Sequence, residues 1–393
     1  MSFMKYLVPT LMLMLYLSSV LPKRVEAKPY SGKAIIYVGT FKSDVSKGIY
    51  AWRFDSASGK LESLGLVAEA SRPLFLALHP NGHFLYAVSR PSAIDRQNIG
   101  VVLAYAIDSQ TGALRQLNSR PSRGIDPAYL SVDHNGTHLL VANFGSNGGE
   151  SNVAVFPLTH DGSLAEASDF IQYTGKGAHP QRQQGPHSHA INASPDGRYV
   201  IVADLGLDKL FVYAFDPLKG KLAPNKPEYA ALAAGAGPRH LVFHPSGKFV
   251  YVVNEIQSTI SAFSYDAHTA SLRELQTVKT LPADFTGSNS AAEVQVHRNG
   301  KFLYASNRGH DSIVVFSIDP RAGTLKLIEF TPAQGKTPGT FSIDPSGSWL
   351  IAANQSSDLL ALFRLDQKTG RLQATSQTFA VGTPSCVKFL SLK

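Results

Sequence analysis

A chain of 393 residues, 44% hydrophobic and 17% charged, is long and apolar enough to bury a large core, which excludes a disordered or low-complexity protein. Its formal charge of +8 comes from scattered lysines and arginines, with no run of like charge and no basic stripe alternating with aromatics, so no nucleic-acid partner is expected. The one cysteine, Cys386, excludes an internal disulfide; set in an apolar stretch, it reads as a small buried side chain rather than a nucleophile.

The first element in chain order is a leader. Lys5 precedes an apolar run from Tyr6 to Leu21, and Val25-x-Ala27 offers a small-residue cleavage pattern, so residues 1–27 read as a signal peptide removed before Lys28. A retained membrane anchor is the competing reading. With the leader removed, residues 28–393 are expected to form one domain, periplasmic or secreted, monomeric and without stable membrane insertion.

Next comes a partial unit: Ile35-Ile-Tyr-Val-Gly39, Gly48-Ile-Tyr-Ala-Trp-Arg-Phe-Asp55 and Lys60-Leu-Glu-Ser-Leu. A complete repeat then begins at Pro73-Leu-Phe-Leu-Ala-Leu-His-Pro-Asn-Gly82-His-Phe-Leu-Tyr-Ala-Val-Ser89 and returns around Gly136, Gly197, Gly247, Gly300 and Gly347. Those turn glycines are 54, 61, 50, 53 and 47 residues apart, the spacing of four-stranded propeller blades. Each unit reads as an apolar first strand, a Pro-x-Gly turn, an aromatic and β-branched second strand, an alternating third, and a Thr-Gly or Lys-Gly turn into a fourth. No apolar period of 3.6 residues is sustained, so helices should be minor. The chain ends on Pro384-Ser-Cys-Val-Lys-Phe389, the first strand that the N-terminal unit lacks. Joining the two predicts an all-β, seven-bladed propeller closed by its own ends, which leaves no open sheet edge.

In such a ring the start of each first strand and the end of each second strand share one rim. Three consecutive blades carry polar residues there: His187-Ser188-His189; Arg239-His240 with Glu255; and Glu293 with Arg308-Gly309-His310. Guanidiniums bind a carboxylate, a phosphate or a developing oxyanion, and Glu and His exchange protons near neutrality. Opening an ester ring needs both a base for water and positive charge for the tetrahedral intermediate. On spacing alone, an Arg239–Glu255 pair that merely ties strands together stands equally open. His79, His244 and His297 read as turn residues on the opposite face, and the recurring Asn143, Asn254, Asn307 and Asn354 as strand-ending hydrogen bonders. No metal-ligand spacing and no Gly-x-Ser-x-Gly elbow occurs, so neither metal nor cofactor is expected.

The stretch Gly237-Pro-Arg-His-Leu-Val-Phe-His-Pro-Ser-Gly-Lys, continued by Tyr251-Val-Val-Asn-Glu255, resembles the 6-phosphogluconolactonase-like lactonases, as do Tyr37-Val-Gly-Thr40, Leu303-Tyr-Ala-Ser-Asn-Arg308 and Ala353-Asn-Gln355. That family is related to fungal carboxymuconate cyclases. The resemblance implies a seven-bladed propeller that hydrolyses a small anionic or sugar-derived lactone. It also implies chemistry at His189, Arg239, Glu255 and Arg308. Arg239 and Arg308 are expected to grip the anion or oxyanion, with Glu255 as base on water and His189 as acid or orienting partner, the last two roles being interchangeable. His187, His240, Glu293 and His310 are expected to bind substrate. The alternatives are a lactone-forming muconate-type cycloisomerase and a non-catalytic binding propeller.

Overall fold

The computed structural model describes residues 32–41, 44–90, 99–145 and 150–392. The leader expected at 1–27 lies outside them. Seven four-stranded antiparallel sheets form the ring. Blade one takes its inner strand from the other end of the chain: Pro384–Ser391 pairs with Lys33–Thr40, in register Ala34 to Ser391 and Val38 to Val387. Blades two to seven are consecutive, with inner strands Phe75–Leu78, Pro127–Val132, Ser188–Ala193, Pro238–Phe243, Ser290–Val296 and Pro338–Ile343. The only regular helix among the described residues is a 3₁₀ turn at Gln355–Ser357.

Strand composition follows position in the blade. Second strands are covered on both faces by neighbouring blades, so His138–Asn143 and Phe249–Asn254 are buried throughout. The outermost strands meet water, and Lys221–Ala231 is polar and largely exposed.

Repeating polar contacts bolt blade one to two, two to three, five to six and six to seven. The hydroxyls of Tyr37, Tyr86, Tyr251 and Tyr304 donate to the carbonyls of Gly112, Gly162, Gly323 and Gly370, at 3.1, 3.0, 2.9 and 2.8 Å. At the turns, Nε2 of His79, His244 and His297 donates to the carbonyls of Gly136, Gly300 and Gly347, at 2.8, 2.8 and 2.9 Å. The turn histidines are therefore inter-blade ties. Gly136 is required twice over: its φ is +71°, and a Cβ there would sit 2.5 Å from the His79 ring.

Candidate active site

Five inner strands open with the same irregularity. Their pairing to the second strand skips one residue: Ser385 in blade one, Ala128 in three, His189 in four, Arg239 in five and Gly339 in seven. A bulged residue is turned out of the ladder, and all five line one cavity of about 300 Å³ at the rim. A second tier comes from the residue that follows the second-strand Asn or its equivalent: Phe41, Arg90, Phe144, Glu255, Arg308 and Gln355 also line it. Small bulged residues on one side leave space, and large polar ones on the other fill the wall.

Glu255 is the hub of that wall. It is 4% exposed. Its Oε2 accepts from Arg308 Nη2 at 2.7 Å and lies 3.0 Å from Arg239 Nε, and its Oε1 accepts from Arg182 Nη2. Burial alone would raise the carboxyl, but Arg308, Arg239 and Arg182 outweigh it and hold the group far below the usual carboxylate range. A carboxylate so clamped is suited to fixing guanidiniums and poorly suited to taking a proton from water, the role expected of it. Arg239 also donates through Nη1 to the carbonyl of Ala292 at 2.8 Å, and Arg308 through Nη2 to Ser290 Oγ at 2.9 Å.

His189 stands beside this cluster, its ring edge-on to His240 at 5.1 Å and to Phe144 at 5.4 Å. Burial, reinforced by Arg239, holds its imidazole well below the ordinary histidine range, so it is neutral at pH 7. Its Nδ1 is buried without a hydrogen-bond partner among the described residues. His240 lines the cavity one step further in, and its Nδ1 lies 3.2 Å from Glu293 Oε2.

Of the eight residues expected at the site, His189, Arg239, His240, Glu255 and Arg308 line the cavity. His187, Glu293 and His310 do not line it. Ser188 pairs with Asp204 where blade five has Pro238 opposite Asn254, so in blade four the bulge falls on His189 and His187 sits one step back. There His187 stacks on Phe144 at 4.3 Å and uses Nδ1 on the Phe144 carbonyl. Glu293 lies behind His240. His310 is held in an outer loop by Ser312 Oγ at 2.7 Å and packs against Phe285 and Phe330.

Arg182 is the residue that sequence reasoning missed. It rides on the loop between blades three and four, pinned by Gln183, whose Nε2 donates to the Leu205 carbonyl at 2.8 Å and to Asp208 Oδ1 at 2.7 Å. The signal was present in the repeat: the 61-residue step from Gly136 to Gly197 is the longest of the series, and the surplus chain forms this loop. Among the described residues, no group of three His, Cys, Asp or Glu side chains is placed to hold a metal ion.

Residues 35–389 match the family model described as "Lactonase, 7-bladed beta-propeller". The chain is 37% identical to the 6-phosphogluconolactonase of Bacillus subtilis over 91% of its own length and 99% of the relative's. It is 33% identical to a 6-phosphogluconolactonase of Formosa agariphila over 79% and 86% of the two chains. The solved structure of a periplasmic gluconolactonase from Pseudomonas aeruginosa superposes with a TM-score of 0.86 at 33% identity, covering 92% of this chain and 100% of that one. The repeat, the closed ring and these matches over nearly the whole ring agree, and the chain belongs to the lactonase family of seven-bladed β-propellers.

Proposed function

We propose that this lactonase opens a small sugar-derived or anionic lactone at the Arg182–Arg239–Arg308 wall, acting as a monomer outside the cytoplasm once residues 1–27 are removed. The observation that carries the site assignment is the convergence of three guanidiniums from neighbouring blades on one buried carboxylate, beside two imidazoles. Glu255 neutralises one of the three charges and fixes all three side chains. The surplus positive charge faces a cavity of about 300 Å³, the size of a monosaccharide-scale ligand. As the tetrahedral intermediate forms, its oxyanion, or a carboxylate or phosphate elsewhere on the substrate, meets donors already in place. His189, neutral and at the rim, donates a hydrogen bond to the substrate.

Export directs the choice of lactone toward sugar lactones available outside the cytosol, and the periplasmic gluconolactonase from Pseudomonas aeruginosa supports that choice. The test is acid release in a pH-stat against a panel of phosphorylated and unphosphorylated sugar lactones, with and without chelator. Catalysed, chelator-insensitive release from at least one unphosphorylated lactone is expected. Release no faster than background across the panel overturns the proposal.

A further inference from the structure

Below the rim, the inner strands place a second set of ionisable groups that the anion-binding wall does not use. His240 of blade five is 2% exposed and Glu293 of blade six 9%. Glu293 Oε1 accepts from the Val294 amide at 3.1 Å, its own amide donates to Ser306 Oγ at 3.0 Å, and Oε2 faces His240 Nδ1 at 3.2 Å. The imidazole is boxed edge-on by Phe75 at 5.6 Å, Tyr129 at 5.0 Å and His189 at 5.1 Å, so its plane is fixed. It lines the cavity, and Arg239 Nη1 reaches Nε2 as well as Nδ1, so that Nδ1 alone faces a carboxylate.

The charges around the pair come from several strands. Arg239 Nη1 lies 3.2 Å from each ring nitrogen of His240, and Lys388, Arg308 and Glu255 also act on it. Glu293 feels Lys388 and Arg239, and in turn Tyr129 and Cys386 feel Glu293. Burial is the largest influence on both, keeping the imidazole uncharged and raising the carboxyl to about 7. Among the described residues no guanidinium is hydrogen-bonded to Glu293, in contrast to Glu255. It is the carboxylate free to orient a base.

We propose that His240 is the group that takes the proton from the attacking water, and that Glu293 is its positioning residue, accepting from Nδ1–H so that the lone pair of Nε2 faces the substrate. The inference rests on the lactone-opening reading of the cavity. Water oxygen bonds to the lactone carbonyl carbon while its proton passes to His240 Nε2, and the carbonyl oxygen becomes the oxyanion met by the guanidiniums. Collapse of the intermediate breaks the bond from that carbon to the ring oxygen, and the proton on Nε2 moves to the leaving oxygen. The products are an alcohol and a carboxylic acid, which ionises into solvent. Imidazolium formed beside Arg239 and Lys388 is offset by the Glu293 charge.

Two readouts test this on the full-length protein. In turnover of a lactone hydrolysed by the wild type, His240→Gln should lower kcat by about 10²–10³-fold with KM little changed. Glu293→Gln should lower kcat by about 10-fold or more and abolish the acid limb expected near pH 7 in the wild-type profile, with Glu293→Asp restoring part of both. In ¹⁵N-edited imidazole spectra, which need no substrate, the His240 signal (assigned by its loss in His240→Gln) should report the Nδ1–H tautomer above about pH 8 and lose that preference in Glu293→Gln. Wild-type kcat and pH profile in folded Glu293→Gln or His240→Gln protein, or an Nε2–H tautomer in the wild type, overturns the dyad while leaving the lactonase reading intact. If no lactone is turned over by the wild type, both fall.

Discussion

Glu255 and Glu293 are buried carboxylates on neighbouring blades, yet their surroundings drive them in opposite directions. Three guanidiniums depress the first, and burial without a bonded guanidinium raises the second to about 7. Removing the charge of Glu255 strands Arg239 and Arg308 in the wall, so Glu255→Gln should cost about 3–5 kcal/mol in denaturant unfolding as well as most of the activity. Arg308→Ala leaves Glu255 paired with Arg182 and Arg239, and should lower kcat/KM by about 10²–10³-fold with a smaller loss of stability. The two carboxylates also shape stability against pH with opposite sign. Glu255 contributes stability that is present above its unfolded value near 4.5 and lost as pH falls. Glu293 binds its proton more tightly folded than unfolded, so its contribution is lost as pH rises from about 4.5 to about 7. Glu293→Gln should therefore gain on the wild type across that window, by at most about 1.4 kcal/mol per pH unit in parallel urea titrations.

At the scale of strands and loops, the bulge is the device that turns a repeated blade into a site. Gly339 shows what the small bulged residues do: a Cβ there would meet nothing closer than Gln355 Oε1 at 3.7 Å, and no positive φ forbids a side chain. Gly339→Val should thus fold with an unchanged melting temperature while filling the cavity, raising KM by about 10-fold. The loop that carries Arg182 should behave in the reverse way. Gln183→Ala removes three side-chain hydrogen bonds, to Leu205, Asp208 and the His179 amide, and should raise KM with little change in kcat, because Arg182 then samples positions away from the mouth. These elements also mark where the sequence could and could not be read. Arg239, Glu255, Arg308 and His189 were legible because they replace small or apolar residues at fixed points of a repeat. His187 was misplaced because Ser188 stands where blade five has proline, which hides the strand register by one step. Arg182 lies on the surplus chain of the longest repeat step, and the step length shows that extra chain is there without showing which of its residues reaches the cavity. The depth of Glu293 follows from blade-to-blade packing, which spacing along one chain does not encode.

For the whole molecule, the architecture was legible from periodicity alone, because each unit hides its apolar second strand only between two others. Ring closure rests on one strand from the far end of the chain. Deleting residues 384–393 should expose the edge of Lys33–Thr40 and remove Ser385 from the cavity wall, giving aggregation on size-exclusion chromatography and no lactone turnover. The junction that Tyr251 spans is also held by the His244 tie, so replacing one of the two, as in Tyr251→Phe, should cost only about 1 kcal/mol.

That closing strand has a consequence for biosynthesis. Until residues 384–391 have been made, blade one has no centre strand, the circle of sheets cannot lock, and the cavity lacks a wall. The growing polypeptide therefore closes its ring and completes its cavity only as its last residues are added.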